Sequence, residues 1–417
     1  MAQPVRYLLV GASHAALSAL QAIRMHDPDG SLTMITRDDA LPYSPTVLPY
    51  VVSGRSQPAR VALKDESWLA SQRVELRRGR TVTAVDTTDC SVRLDDGSVL
   101  GWEKLLLATG ADPIVPQVPG LAGVKFHVLR RLTDAVALRD AVAGTREAIV
   151  LGAGLIGMHA AENLVKAGVG VTIVEMQPRV LAGYFDAEAS ALIETTFTDA
   201  GVCLRLGRRA AAVAAAGERI QVRLDDDSEL VADLLLVATG VTPVLDYLAG
   251  SGIATDRGVL VDDCMRTSAA GVWAAGDVAQ ARDFYAADPG ARIINGILPD
   301  AVEQGRVAGQ SMAGDPGLRP YEGGVPLNTY TYFDQQAVSV GRQDCGATVR
   351  SEAGAGRYLR IVMDADRLTG IFGINSPFDP GVMWEIIQRR IDLGPVRAAF
   401  LADPQRAARG VMSRTWR

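Results

Sequence analysis

The sharpest chemical signal in the chain is a glycine triplet with one glutamate behind it. Gly152-Ala153-Gly154-Leu155-Ile156-Gly157 follows an apolar run and opens an alanine-rich pattern with helical spacing; Glu175 closes the next apolar run, residues 170–175. The triplet alone is weak. Strand, glycine corner, helix, strand and terminal carboxylate in that order make a dinucleotide fingerprint. Gly152 permits the tight turn, Gly154 lets backbone approach a pyrophosphate, and Gly157 lets the helix lie close on the sheet. The start of the helix offers free N–H groups and about half a positive charge to the phosphates. Glu175 is expected to accept hydrogen bonds from the adenosine ribose. Its charge repels a 2′-phosphate, which favours NADH over NADPH, with Arg179 near enough to soften the choice.

A second corner, Gly11-Ala12-Ser13-His14-Ala15-Ala16, stands near the start of the chain. Serine and alanine replace its second and third glycines. Both are small, so a pyrophosphate can still approach and Ser13 can donate its hydroxyl. The position of the ribose partner falls at Thr36 or Arg37. Such a corner either cradles a second dinucleotide or is a Rossmann-like half that has lost its ligand.

The elements that must hold these corners repeat. "LLLATGADP" (105–113) returns as "LLVATGVTP" (235–243), and "SVRLDDGSVL" (91–100) lies over "QVRLDDDSEL" (221–230) at the same offset. Each copy reads as strand, glycine corner, helix and strand, then a hairpin with an acidic turn, then an Ala-Thr-Gly corner. The repeat is therefore a whole domain, a mononucleotide-binding half with a β-meander crossover. Beyond 245 no third copy begins. Residues 266–280 read as a strand ending in Gly276-Asp277, 300–314 as a helix, and 315–326 as a proline-rich linker. Residues 327–417 alternate strands with a helix around 381–391, as a small α+β domain would.

A chain of 417 residues has room for two or three domains. With 48% hydrophobic and 22% charged residues, net charge −6 and pI about 5.4, it is a globular composition with no basic face for nucleic acid. No apolar run reaches membrane-spanning length, and the N-terminal apolar stretch is too short for a secretory signal, which points to the cytoplasm. The 4 cysteines, Cys90, Cys203, Cys264 and Cys345, lack metal or redox spacing and read as buried free thiols. His14, His26 and His127 show no metal spacing either, so no metal is expected.

The segment from Thr267 to Gly271, Val272, Trp273 and Gly276-Asp277 returns after the second nucleotide domain. With the first glycine corner, both Ala-Thr-Gly corners (Ala108-Thr109-Gly110, Ala238-Thr239-Gly240) and "VEMQPRVL" (174–181), it resembles the pyridine nucleotide–disulfide oxidoreductase family over roughly residues 5 to 345. The resemblance implies an α/β fold with two Rossmann-like domains, one inserted in the other, plus the small C-terminal domain. Residues 1–115 and 245–320 would bind FAD, 116–244 would bind NAD(H), and 321–417 would form an interface domain. It implies an FAD set of Gly11, Ser13, Ala16, Arg37, Val82, Thr109, Gly110, Gly276, Asp277 and Ala301. Asp277 would take the ribityl chain, Val82 would offer backbone to the adenine, and the helix near Ala301 and Gln304 would point at the flavin. The NAD set is Gly152, Gly154, Ile156, Gly157, Glu175 and Gly240.

The departures narrow the branch. The disulfide members carry reactive cysteines early in the chain; the first cysteine here is Cys90. Thiolate chemistry beside the flavin is therefore not expected, and the chain is similar to the NADH-dependent ferredoxin and rubredoxin reductases. Where that family commonly places a lysine and a glutamate that pair near the flavin, this chain has Tyr50 and His159. Either a Tyr50–His159 hydrogen bond takes over and tunes hydride transfer, making both catalytic, or the two are packed side chains without a part in chemistry. "LPYSPTVLPYVVSG" (41–54) and the length resemble the NADH-binding flavoprotein subunits of phenylglyoxylate dehydrogenases. That implies an iron–sulfur partner on another chain of a complex, since no cluster ligand set stands in this sequence. Docking would use 282–299 and the C-terminal domain, with Trp384 expected in its core. A free-standing NADH oxidase or quinone reductase, and a non-catalytic nucleotide-binding scaffold, are the competing expectations.

Overall fold

A computed structural model describes residues 4–354 and 356–415. The apolar run Val5–Val10 forms the central strand of a parallel sheet, flanked by Leu32–Ile35 and then Val74–Arg77 on one side. On its other side lie Val99–Leu107 and then Val272–Ala274. Leu8, Leu9, Leu105, Leu106 and Leu107 have no solvent exposure. A parallel sheet covered on both faces needs such continuous apolar strands rather than alternation. The long strand Val99–Leu107 also pairs antiparallel with Ser91–Leu94, which pairs with Val82–Asp86, giving the meander. Helices His14–His26 and Leu298–Ala313 cross on one face, where a Cβ on Gly305 would sit 2.2 Å from the Ala15 carbonyl oxygen.

The second copy builds the same shape. Cys203–Leu206, Gly170–Glu175, Glu147–Leu151 and Leu234–Val237 lie side by side, all parallel. Ala210–Ala216, Arg219–Leu224 and Glu229–Ala232 form its meander. The repeat persists to single contacts. An Asp96 oxygen accepts from the Ser98 N–H (2.9 Å) and hydroxyl (2.6 Å), and Asp226 does the same with Ser228 (3.1 and 2.6 Å). Arg80 pairs with Asp96 and Arg208 with Asp226, each at 2.9 Å. Asp227 adopts φ +63° where the first copy has Gly97 at +82°. The chain leaves the first sheet through Asp112–Pro113 and returns through Val241–Thr242, and these two segments pair antiparallel.

The C-terminal unit is a five-stranded antiparallel sheet, in order Leu327–Tyr332, Gln335–Gly341, Arg367–Ile374, Arg357–Asp364 and Ala347–Gly354. Helices Pro380–Gln388 and Pro404–Thr415 cover one face, with Val340, Ile361, Ile371, Met383 and Ile387 between. The other face sends Tyr330, Tyr332 and Phe372 into a core shared with Ile193 and Phe197 of the second nucleotide domain.

The structure departs from the sequence reading in detail. The helix expected from 300 starts at Leu298. A three-stranded ribbon (Val259–Leu260, Ala279–Arg282, Arg292–Ile293) precedes it. Strand Ala347–Gly354 escaped notice because it is a solvent-facing edge without apolar alternation. Residues 315–326 carry no regular structure, but they are no loose linker: Tyr321 and Val325 are buried. The cysteines are free but not buried, with Cys90 exposed and the others partly so.

Candidate functional site

The first glycine corner opens onto a cavity of about 540 Å³. Gly11 has φ +117°, and a Cβ there would lie 2.0 Å from the Ala108 carbonyl oxygen, so the corner admits only glycine. The turn brings the end of strand Val5–Val10 against the first Ala-Thr-Gly corner. Helix His14–His26 then starts with its N-terminus at the cavity, and Ser13 is its extended N-cap. The Ser13 hydroxyl does not cap the helix. It donates to the Tyr43 carbonyl at 3.1 Å, which corrects the expectation that it is free for a phosphate. Among the described residues, the backbone N–H groups of Ala12 and Ser13 find no acceptor. Two unpaired donors at a helix N-terminus, behind a corner that no side chain can fill, fit a pyrophosphate.

The rest of the lining includes Arg37, Val82, Thr109, Gly110 and Asp112. Arg37 donates twice to Asp112, with one bond of 2.7 Å. This hydrogen-bonded partner holds the Asp112 carboxyl below its usual range. Gly276, Asp277, Gly296 and Ala301 line it as well. Asp277 is paired with Arg130 of the inserted domain at 2.8 Å, and the same guanidinium donates to the Ala111 carbonyl at 2.7 Å. The Tyr43 hydroxyl bridges the domains, donating to Asp38 at 2.9 Å and accepting from the Leu132 N–H at 3.0 Å. Ala16, of the FAD set, is fully buried on the helix behind the corner. Gln304 does not line the cavity: its side-chain oxygen accepts from the Gly276 N–H at 2.8 Å and so shapes the wall from behind. No cysteine lines the cavity.

The second corner is an open shelf. Gly152 has φ +105°, and its Cβ would meet the Ala238 carbonyl at 2.4 Å; a Cβ on Gly157 would meet the Gly152 carbonyl at 2.1 Å. A Cβ on Gly154, the N-cap of helix Leu155–Lys166, would meet nothing within 4 Å, so that face is open for a ligand. Glu175 reaches this corner, accepting from the Ala153 N–H and the Gln177 N–H, each at 2.7 Å. Ile156 stands exposed on the first turn, and Gly240 holds the last corner at φ +111°. Arg179 is turned back toward the carbonyls of Ala182 and Phe185.

The expected Tyr50–His159 hydrogen bond is absent. Tyr50 is 45% exposed on the short helix Leu48–Val52, and neither residue lines the cavity. The His159 ring meets Tyr330 edge-on with centroids 4.5 Å apart, and burial lowers its pKa. A half-buried neutral imidazole gains more from that contact than from reaching out to a solvent-facing phenol. Sequence reasoning missed Arg130, Asp112 and Tyr43. The first two make ion pairs across long stretches of chain, which no local spacing announces.

Two dinucleotide cradles on paired Rossmann-like domains, with a small antiparallel domain behind them, define a two-nucleotide flavoprotein reductase. Residues 5–305 match the family model described as pyridine nucleotide-disulphide oxidoreductase, and the chain belongs to that family. It is an oxidoreductase that uses FAD and NAD(H). It is 52% identical to the NADH-dependent phenylglyoxylate dehydrogenase subunit epsilon of Aromatoleum evansii, over 99% of this chain and 98% of the relative. It is 32% identical to the ferredoxin–NAD(+) reductase component of the anthranilate 1,2-dioxygenase system of Burkholderia cepacia, over 65% of this chain and 67% of that one. The crystal structure of the ferredoxin reductase for the CYP199A2 system of Rhodopseudomonas palustris superposes with TM-score 0.81 at 28% identity, covering 89% of this chain and 91% of that one. No helix among the described residues is long and apolar enough to cross a membrane.

Proposed function

We propose that this chain is the NAD(H)-reactive flavoprotein subunit of a phenylglyoxylate dehydrogenase, a cytoplasmic multi-subunit enzyme whose other chains carry iron–sulfur clusters. The end-to-end likeness to the epsilon subunit carries this reading. A cavity with no thiol in its lining agrees with it. FAD supplies the ability to take up a hydride and release electrons singly.

The chain's own residues bind and orient. The Ala12 and Ser13 N–H groups hold the FAD pyrophosphate, and Arg37 with Asp112 frames the adenosine end beside the Val82 backbone. Asp277 takes the ribityl hydroxyls, and the Arg130 guanidinium keeps its carboxylate oriented. Gly152 and Gly154 cradle the pyrophosphate of NAD(H), and Glu175 takes its ribose. With both nucleotides held by rigid sheet edges, proximity supplies much of the rate.

The test is anaerobic reduction of the purified, flavin-bearing chain by NADH, followed by reoxidation with oxygen, a quinone or a ferredoxin. Fast reoxidation by the ferredoxin alone, and co-purification of iron–sulfur subunits from native extract, are expected. Efficient turnover with oxygen or quinone, and no co-purifying subunit, would point to a free-standing oxidase instead. A colourless protein that takes up no FAD would overturn both.

A further inference from the structure

Behind the cavity wall lies a carboxyl group that cofactor binding leaves unexplained. Asp300 stands in the first turn of helix Leu298–Ala313, between the cavity-lining residues Leu298 and Ala301, yet is 2% exposed. The strap 315–326 closes over it so tightly that a Cβ on Gly324 would overlap its oxygens. The Asn295 amide donates to it, and the buried Tyr321 side chain from the strap stands beside it. Tyr321 also faces Gln304, whose side-chain oxygen accepts from the Gly276 N–H at 2.8 Å. Packed polar side chains therefore link the cavity wall, beside Asp277, to one buried carboxyl. The groups facing that carboxyl are Glu303 on its own helix, itself paired with Arg306, and Tyr321 from the strap. No Lys, Arg or His among the described residues pairs with it.

We propose that Asp300 is a redox-linked proton acceptor, taking up a proton when the flavin in the neighbouring cavity is reduced and releasing it on reoxidation. The Asn295 amide and the packed side chain of Tyr321 position it. The inference rests on the flavoprotein reading above. NADH delivers two electrons and one proton as hydride, which adds negative charge to the cavity. That charge raises the proton affinity of a nearby carboxyl in a wall of low dielectric. The proton comes from solvent and returns there as two single electrons leave, so no further reactant is needed. The coupling is reciprocal: an ionised Asp300 makes the flavin harder to reduce. Burial holds the carboxyl at about 7, where this exchange operates at neutral pH.

The test is redox potentiometry of the FAD-loaded wild type and Asp300→Asn across neutral pH. The two midpoint curves should coincide at low pH. Above neutrality the wild type should fall below the variant by about tenfold in reduction equilibrium, or about 30 mV for a two-electron couple. Parallel, coincident curves would overturn the proposal. Redox-difference infrared spectroscopy on the wild type alone serves if the variant does not fold. A protonated carboxyl band that grows on reduction and shifts in heavy water is expected, and no such band is the refuting result. Flavin absorbance is checked first: loss of flavin binding removes the functional reading, whereas a flavin-loaded protein without the coupling removes only this inference.

Discussion

Replacing Asp300 by asparagine should change how stability depends on pH. The amide keeps the shape but cannot ionise. Burial, with Glu303 adding to it, pushes the Asp300 carboxyl from the ordinary 3.8 up to about 7, against the hydrogen bonds from Tyr321 and Asn295. One pH unit of proton affinity is worth about 1.4 kcal/mol, so ionising this group in place costs about 4 kcal/mol. The sign follows from proton counting. Between about pH 4 and about pH 7 the folded chain keeps a proton that the unfolded chain has lost. Raising the pH through that window therefore favours unfolding, and the loss levels off above about pH 7. Relative to Asp300→Asn, the wild type should lose about 2 kcal/mol between pH 5 and pH 7. Urea unfolding of both proteins with FAD in excess, followed by flavin and tryptophan fluorescence at several pH values, measures this difference. A wild-type-minus-variant difference that stays constant with pH would show that the carboxyl is not held neutral, and the reasoning from its burial would be wrong.

Three further outcomes are expected. Gly11→Ala places a Cβ against the Ala108 carbonyl at φ +117° and should lower the flavin content of the purified protein about tenfold or more, as read from absorbance; full flavin stoichiometry would refute the corner's role. Glu175→Ala removes the carboxylate at the open shelf and should raise the NADPH-to-NADH ratio of kcat/KM by about tenfold; an unchanged ratio would show that another group sets the preference. Tyr50→Phe should leave flavin reduction by NADH within about twofold, because the hydroxyl is solvent-facing and does not reach His159; a tenfold slower stopped-flow rate would restore it as a participant.

The sheets and both cradles were legible in the sequence because their signals are local. Gly152 to Gly157 and Glu175 fall within one strand–helix–strand unit, and the acidic turns repeat at a fixed offset. The cavity wall was less so. Asp277 could be read from its strand, but its partner Arg130 comes from another domain, and Asp112 meets Arg37 from a distant strand. Nothing in the sequence around Asp300 announces that the strap 315–326 seals it. The expected Tyr50–His159 bond failed for the opposite reason. Here each follows its own surroundings, His159 against the Tyr330 ring and Tyr50 out on the surface.

The paired segments Asp112–Pro113 and Val241–Thr242 bring the two ends of the inserted unit side by side on one ribbon. The insert is also held at points beyond that ribbon, by the Arg130–Asp277 ion pair, the Tyr43–Leu132 hydrogen bond and the core it shares with Tyr330, Tyr332 and Phe372, so any swing must break these contacts too. Excising the insert would therefore uncover Tyr330, Tyr332 and Phe372 and leave Asp277 without its cation.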